Sequence, residues 1–293
     1  MEFKKVELAD IPALKKYFEN QQTYDSGSSA AMLFLWAPAY DLQYTVVHDM
    51  LICKGANSFS FPIGSGDPKP ALDELMEYCR TEGIAFALHS VTKDIERKMK
   101  AMYGDVFQVE YDRDVADYVY LSERLISLSG KKYHGKRNHI NRFKENHEWT
   151  YEPITDDNAL ECIVMLMQWK INNCAAANEG MSEEVCAAKN ALMYYKELGL
   201  TGGLIRSEGV IIAFSLGEPI SDDMFAVHFE KAFSNIQGAY PIINQQFVLH
   251  EASEYKYINR EEDCGDEGLR KAKMSYRPEM MVEKGVLKFR EKE

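Results

Sequence analysis

An α+β fold is what this sequence predicts. Strand-like and helix-like segments alternate through the first ~125 residues. After a basic helix the chain then runs strand, two helices, three consecutive strands, helix, strand, helix, strand. The 293 residues suffice for one large domain or two of ordinary size. A hydrophobic content of 46% with 27% charged residues describes a folded chain rather than a disordered one.

Asp10 before Ile11 and Pro12 predicts a helix start, carrying Leu14, Tyr17 and Phe18 on its apolar stripe. Gln43 to His48 and Met50 to Lys54 read as two strands of a hairpin, with Ser58 to Phe61 able to pair with them. GSGDPKP, Gly64 to Pro70, is turn chemistry leading into a helix near Ala71 to Thr81. It lacks the Lys-Ser/Thr ending of a phosphate-binding P-loop, so it reads as a plain loop. Ala85 to Leu88 predicts a strand, Lys93 to Met102 a helix, and Gln108 to Tyr111 and Tyr118 to Leu121 two further strands. Lone histidines at 48 and 89 read as structural.

Gly130 to Asn146 predicts a helix whose apolar stripe is Tyr133, Ile140 and Phe143. Arg137 and Lys144 border that stripe and face a cleft, whereas Lys131 and Arg142 read as surface charge. Trp149 to Pro153 is a strand, and Asp156 or Asp157 opens a long helix through Ile171. Asn178-Glu179-Gly180 breaks the pattern before a helix from Ser182 to Leu198. Gly203 to Ser207 and Val210 to Leu216, joined at Glu208-Gly209, form a hairpin, and Met224 to Phe229 follows as a third strand. Tyr240-Pro241 starts a helix to about Ser253. Tyr255 to Ile258 reads as a strand, Asp266 caps a helix from Glu267 to Met274, and Met280 to Phe289 closes as a strand bent at Gly285.

A net charge of −12 argues against general affinity for nucleic acid or anionic membrane. Within it, Lys131 to Lys144 holds six Lys or Arg and no acid, which points to a local anion site or to a solvated face. Six cysteines without CxxC or metal-ligand spacing read as reduced thiols. Cys162, Cys174 and Cys186 recur every twelve residues but do not share a helix face, so no metal is expected. No apolar run approaches the ~18 residues of a membrane span and the first residues lack a signal-peptide core, so a cytoplasmic location is expected.

The densest chemistry lies in Tyr257 to Pro278, with five carboxylates, five cations and two glycines. On its helix Lys273 shares the inward arc with Leu269, Ala272 and Tyr276, while Arg270 and Lys271 point outward. An inward lysine snorkels, pairs with an acid or binds a ligand. In the third strand of the meander His228 and Glu230 share a face, as an acid/base pair or as a polar sheet edge. The strand-turn-helix at Gln237 and Gly238 has the geometry that sets backbone N–H groups on an anion.

LSGKKYHGKRNHINRF at Leu128 to Phe143, VHFEKAF at Val227 to Phe233 and YINREEDCGDEGLRKAKMSYRP at Tyr257 to Pro278 resemble the family related to the C-terminal domain of bacterial phosphatidylglycerol lysyltransferases. The element order resembles the GNAT acyltransferase fold. More distantly, GLRKAKMSYRP at Gly268 to Pro278 resembles Fem-type peptidyltransferases, with Lys273 at the place of a functional lysine. The resemblance implies two tandem GNAT-like domains, 1–125 and 126–293. Each would be a mixed, mostly antiparallel sheet flanked by helices, and the second would carry the site.

The implied activity is transfer of an aminoacyl group from aminoacyl-tRNA to an amine or hydroxyl, with no cofactor required. The membrane-embedded half of the lipid-modifying enzymes has no counterpart, which points away from a lipid acceptor. The pyrophosphate loop of acetyl-CoA-dependent relatives shrinks to Gln237-Gly238-Ala239, where coenzyme A is the alternative donor. Arg137 and Lys144, with Asn141, are expected on the donor's phosphates, and Lys273 on the 3′-terminal phosphate or the oxyanion. Glu230, with His228, is expected to receive the acceptor's proton. Glu261 and Asp263 are expected to hold an ammonium, with Arg260 paired to one of them and Asn259 and Tyr276 completing the substrate site. Two other readings stand beside this one: an acyl-CoA-dependent N-acyltransferase, and a non-catalytic module that binds a small anion or peptide.

Overall fold

A computed structural model describes residues 1–19, 21–173 and 179–290; Cys174 and Asn178 lie outside them. Two compact units share the chain. The first takes Met1–Asp117, Glu262–Arg270 and Met281–Glu293, and the second Tyr118–Glu261 and Lys271–Met280. Along the sequence the two units alternate, because the last strand returns to pair with an early one.

Chain order begins with β1 (Lys4–Lys5), α1 (Ile11–Phe18), α2 (Ala30–Tyr40), β2 (Gln43–Val47) and β3 (Met50–Lys54). There follow α3 (Pro68–Glu82), β4 (Ala87–Val91), α4 (Lys93–Tyr103), β5 (Phe107–Leu121), α5 (Ser122–Ser127) and α6 (His134–Asn146). Next are β6 (Trp149–Pro153), α7 (Ala159–Asn172), α8 (Glu179–Met193), α9 (Tyr195–Leu198), β7 (Thr201–Ser207), β8 (Val210–Pro219) and β9 (Met224–Ala232). The chain closes with α10 (Ala239–Glu251), β10 (Tyr257–Asn259), α11 (Glu267–Met274) and β11 (Met280–Phe289).

In the first unit β1, β2 and β3 form a small antiparallel sheet, and β11 lies between β4 and β5. Helices α3 and α4 bury Leu72, Leu75, Cys79 and Met99 against Ile52, Phe59, Leu88, Phe107 and Leu287. The ladder of β11 on β4 is irregular between Gly285 and Leu287, at the bend the sequence predicts. A Cβ on Gly285 would meet the Glu110 carbonyl carbon at 2.9 Å, so the glycine lets two backbones approach. The segments Gln108–Tyr111 and Tyr118–Leu121, read as separate strands, are one strand, β5. The exposed Asp112 and Arg113 do not break it, because backbone pairing sustains strands whose side chains face water. The helix α2 was not expected. Ser29 caps it by accepting the Met32 N–H, and left-handed Asp41 ends it.

The second unit carries β6, β7, β8 and β9 as an antiparallel meander. Strand β10 then joins β9 in parallel and the end of β5 in antiparallel sense, an order that fits the GNAT-like expectation. Phe214, Phe225, Phe229 and Phe247 are fully buried, and Phe225 meets Phe247 of α10 edge-on at 5.9 Å. No described helix is long and apolar enough to cross a membrane, and no described cluster of His, Cys, Asp or Glu could hold a metal ion.

Candidate active site

The site follows from where two strands part. Strands β9 and β10 pair only over Met224–Ala226 with Tyr257–Asn259. Beyond that, β9 continues to Ala232 while the other chain leaves at Arg260. The Arg260 side chain spans the opening and donates from Nη2 to Glu230 Oε1 at 2.7 Å. Glu230 Oε2 accepts from Asn244 Nδ2 of α10 at 3.1 Å. This ion pair is nearly buried, at 11% and 12% side-chain exposure, so desolvation costs it more than a surface pair.

Three buried polar atoms in this group have no hydrogen-bond partner among the described residues: Arg260 Nη1, Asn244 Oδ1 and Ser215 Oγ. All three belong to residues around Glu230, since Ser215 is its cross-strand partner on β8. A buried orphan costs roughly 1–3 kcal/mol, so three around one carboxylate mark a place built for something else to complete.

Tyrosines wall the group. The Arg260 guanidinium lies 4.9 Å from the centroid of the Tyr276 ring and 5.7 Å from that of Tyr120. Lys136 of α6 places Nζ 4.0 Å from the same Tyr276 centroid. Burial, then the charge of Arg260, pushes the Lys136 ammonium down to about 8, against a smaller opposing effect of Glu230. The Tyr133 hydroxyl donates to the Tyr276 carbonyl and the Tyr120 hydroxyl to the Lys273 carbonyl. Buried Lys273 donates from Nζ to the Arg260 carbonyl at 2.6 Å and so holds the backbone that carries the arginine.

His228 points to a different pair. Its Nδ1 lies 2.8 Å from Glu261 and its Nε2 3.2 Å from Glu218, with no side-chain exposure. Burial alone would favour the neutral ring, but hydrogen bonds to Glu218 and Glu261 outweigh it and raise the imidazole to about 9. His228 is therefore an imidazolium with both nitrogens donating, and it has no lone pair for an incoming proton. The expected His228–Glu230 relay is not assembled, although both residues lie on one face of β9. The Asn259 side chain accepts the Glu261 N–H at 2.7 Å and supports the left-handed conformation of Glu261.

Other expectations need correction. Arg260 pairs with Glu230, not with Glu261 or Asp263. Asp263 belongs to the first unit, where it accepts from Arg270, Arg113 and the Gly265 N–H. Arg270 is thus a structural clamp that also reaches Asp114, rather than a solvated charge. Arg137 donates from Nη1 to the Leu128 and Gly130 carbonyls, which ties down the turn before α6. Lys144 is exposed over the Trp149 ring, and Asn141 is exposed. Gly130, Lys131, His134 and Arg137 line an open depression at the start of α6.

Gln237 reaches His139 at 3.3 Å, and Gly238 presses on α6, where a Cβ would meet the His139 carbonyl at 2.6 Å. The Ala239 N–H donates to the Ile236 carbonyl, and Pro241 has no N–H. The first turn of α10 therefore presents few of the donors that a pyrophosphate cradle needs.

Lys136 was missed on sequence although a signal existed. At 100° per residue it falls roughly 60° from Tyr133 and within the arc that ends at Phe143, inside the apolar stripe. Ser215 and Asn244 gave no such signal, because only the tertiary fold brings them to Glu230.

A family model, "Phosphatidylglycerol lysyltransferase, C-terminal", matches residues 18–286. A conserved protein of unknown function from Bacteroides thetaiotaomicron VPI-5482 is 38% identical, with a TM-score of 0.92 over 99% of this chain and 100% of that one. The fold is also that of L-PGS from Bacillus licheniformis, at 15% identity and a TM-score of 0.67 over 99% of this chain and 94% of that one. FemX gives a TM-score of 0.63 at 9% identity over 98% of this chain and 96% of that one. An uncharacterized protein of Mycoplasmoides gallisepticum is 24% identical over 256 residues, 75% of this chain and 80% of its own.

Proposed function

This chain belongs to the phosphatidylglycerol lysyltransferase C-terminal family, and from that premise we propose that it transfers an aminoacyl group from aminoacyl-tRNA to an amine or hydroxyl acceptor. One observation carries the proposal: Arg260 Nη1 is buried, fixed by Glu230 and left without an acceptor. Attack on an aminoacyl ester moves charge onto the carbonyl oxygen, and a fixed, desolvated donor stabilises that charge without reorganising. Arg260 takes the oxyanion role, which the sequence offered for Lys273 beside the 3′-terminal phosphate. Lys273 becomes a positioning residue through the Arg260 carbonyl. Lys144 and the depression lined by Lys131, His134 and Arg137 meet the phosphates of the donor.

The test is single-turnover aminoacyl transfer from charged tRNA by the full chain. Arg260→Lys keeps the charge of the pair with Glu230 and removes the second guanidinium nitrogen. It is expected to slow transfer by about 10²- to 10³-fold with unchanged tRNA binding. Arg260→Met, checked for folding by its melting temperature, should do no better. Wild-type rates in Arg260→Lys would sink the role. A melting temperature raised by coenzyme A and unmoved by charged tRNA would favour the acyl-CoA reading instead.

A further inference from the structure

We infer that Lys136 takes the proton released by the acceptor. The inference rests on the aminoacyl-transfer reading above and adds to it a catalytic residue. Few of the groups around Arg260 have room for a proton. Glu230 is ion-paired with Arg260 and also accepts from Asn244, so a proton placed there would break the pair that fixes Arg260. His228 is protonated between Glu218 and Glu261. The Lys273 ammonium donates to the Arg260 carbonyl and the Tyr120 hydroxyl to the Lys273 carbonyl. Burial raises the Tyr276 phenol, so it stays protonated.

Lys136 differs from all of these. No hydrogen-bond acceptor or carboxylate partner meets its Nζ among the described residues, and it shares the Tyr276 ring with Arg260. The groups that face it are Arg260 at the end of β10, Glu230 on β9 and Tyr276 after α11. In the adjoining turns of its own segment Lys132 and His139 are exposed. Its value of about 8 leaves a share of neutral amine at physiological pH. A base of that strength can take a proton from an attacking amine or hydroxyl as its bond to the carbonyl carbon forms. Arg260 and protonated Lys136 also repel a cationic amine, so an amine acceptor enters neutral.

An amine acceptor, entering neutral, attacks the ester carbonyl carbon, a C–N bond forms, and the carbonyl oxygen becomes an oxyanion against Arg260 Nη1. The new ammonium nitrogen gives one proton to neutral Lys136. Collapse of the oxyanion breaks the C–O bond to the ribose, and the leaving ribose oxygen takes the proton back from Lys136. Ester and amine become amide and ribose hydroxyl, and Lys136 ends as it began.

The experiment uses the full chain and tRNA charged with labelled amino acids. Trifluoroethylamine is the acceptor, chosen because it stays neutral across the pH range of the assay and adds no ionisation of its own. Wild type is expected to form the amide at a rate that rises through about pH 8. Lys136→Ala should be slower by about 10²-fold, lose that rise and bind charged tRNA normally. Trimethylamine, a base that cannot become a stable amide, should restore part of its rate.

A Lys136→Ala variant with the wild-type rate and pH profile overturns the proton role. So does loss of rate that trimethylamine does not restore. Absence of transfer by wild type to this probe overturns the aminoacyl-transfer reading, and this inference with it.

Discussion

At the scale of single residues, His228 is the group whose protonation the fold enforces. Its pKa of about 9 stands above the unfolded value near 6.5, because two carboxylates hold the imidazolium. The stabilisation is fully present below pH ~6.5 and is lost as pH rises through about 9. Its size is on the order of 3 kcal/mol. The wild-type melting temperature should therefore fall across this window, and His228→Gln should lack that component. Equal slopes for the two proteins would place the pH dependence elsewhere. The same residue shows what sequence can and cannot give. Strand alternation placed His228 and Glu230 on one face of β9, but their partners Glu218, Glu261 and Arg260 all lie outside that strand. Lys273 was legible as inward-facing; that it holds a carbonyl rather than a carboxylate was not.

At the scale of elements, α6 has two jobs. Its buried side brings Lys136 to Tyr276 and meets Gly238, while its exposed surface carries Lys144 at the border of the apolar stripe and Arg142 on the opposite face. Gly238→Ala would need a left-handed alanine, at a φ of 94°, with a Cβ 2.8 Å from the Phe143 Cβ. Unfolding in urea should show a loss of about 1–3 kcal/mol, and a neutral result would mean that α6 and α10 yield to the methyl group. On the outer side, Lys144→Gln should reduce the slope of log affinity for charged tRNA against log salt by about 0.7–0.9. Arg142→Gln, on the far face, should leave the slope unchanged. The element order was legible because periodicity and capping residues are local signals, and Asp266 does cap α11 through the Leu269 N–H. The continuity of β5 through Asp112 and Arg113 was hidden, because its cause is the pairing of a strand near the other end of the chain.

At the scale of the whole molecule, the chain passes between its two compact units four times, and the first unit closes only when β11 returns to β4. That return delivers Lys284. Its Nζ lies 2.7 Å from Asp117, 3.4 Å from Glu262 and 3.5 Å from Asp25, and its side chain is 8% exposed. Burial alone would lower the lysine, but these carboxylates outweigh it and raise it well above its usual value. One ammonium thus offsets three acids drawn from distant parts of the sequence, within a unit whose core α3 and α4 build together with Ile52, Phe59, Leu88, Phe107 and Leu287. Lys284→Met keeps the length and apolar stem of the side chain and strands the acids, so a loss of about 3–5 kcal/mol in urea unfolding is expected. Part of the loss should return at low pH, because burial and Asp117 already favour the protonated form of Asp25. A variant with the wild-type midpoint would show that water reaches the cluster and that β11 is held by its backbone pairing and Leu287 alone.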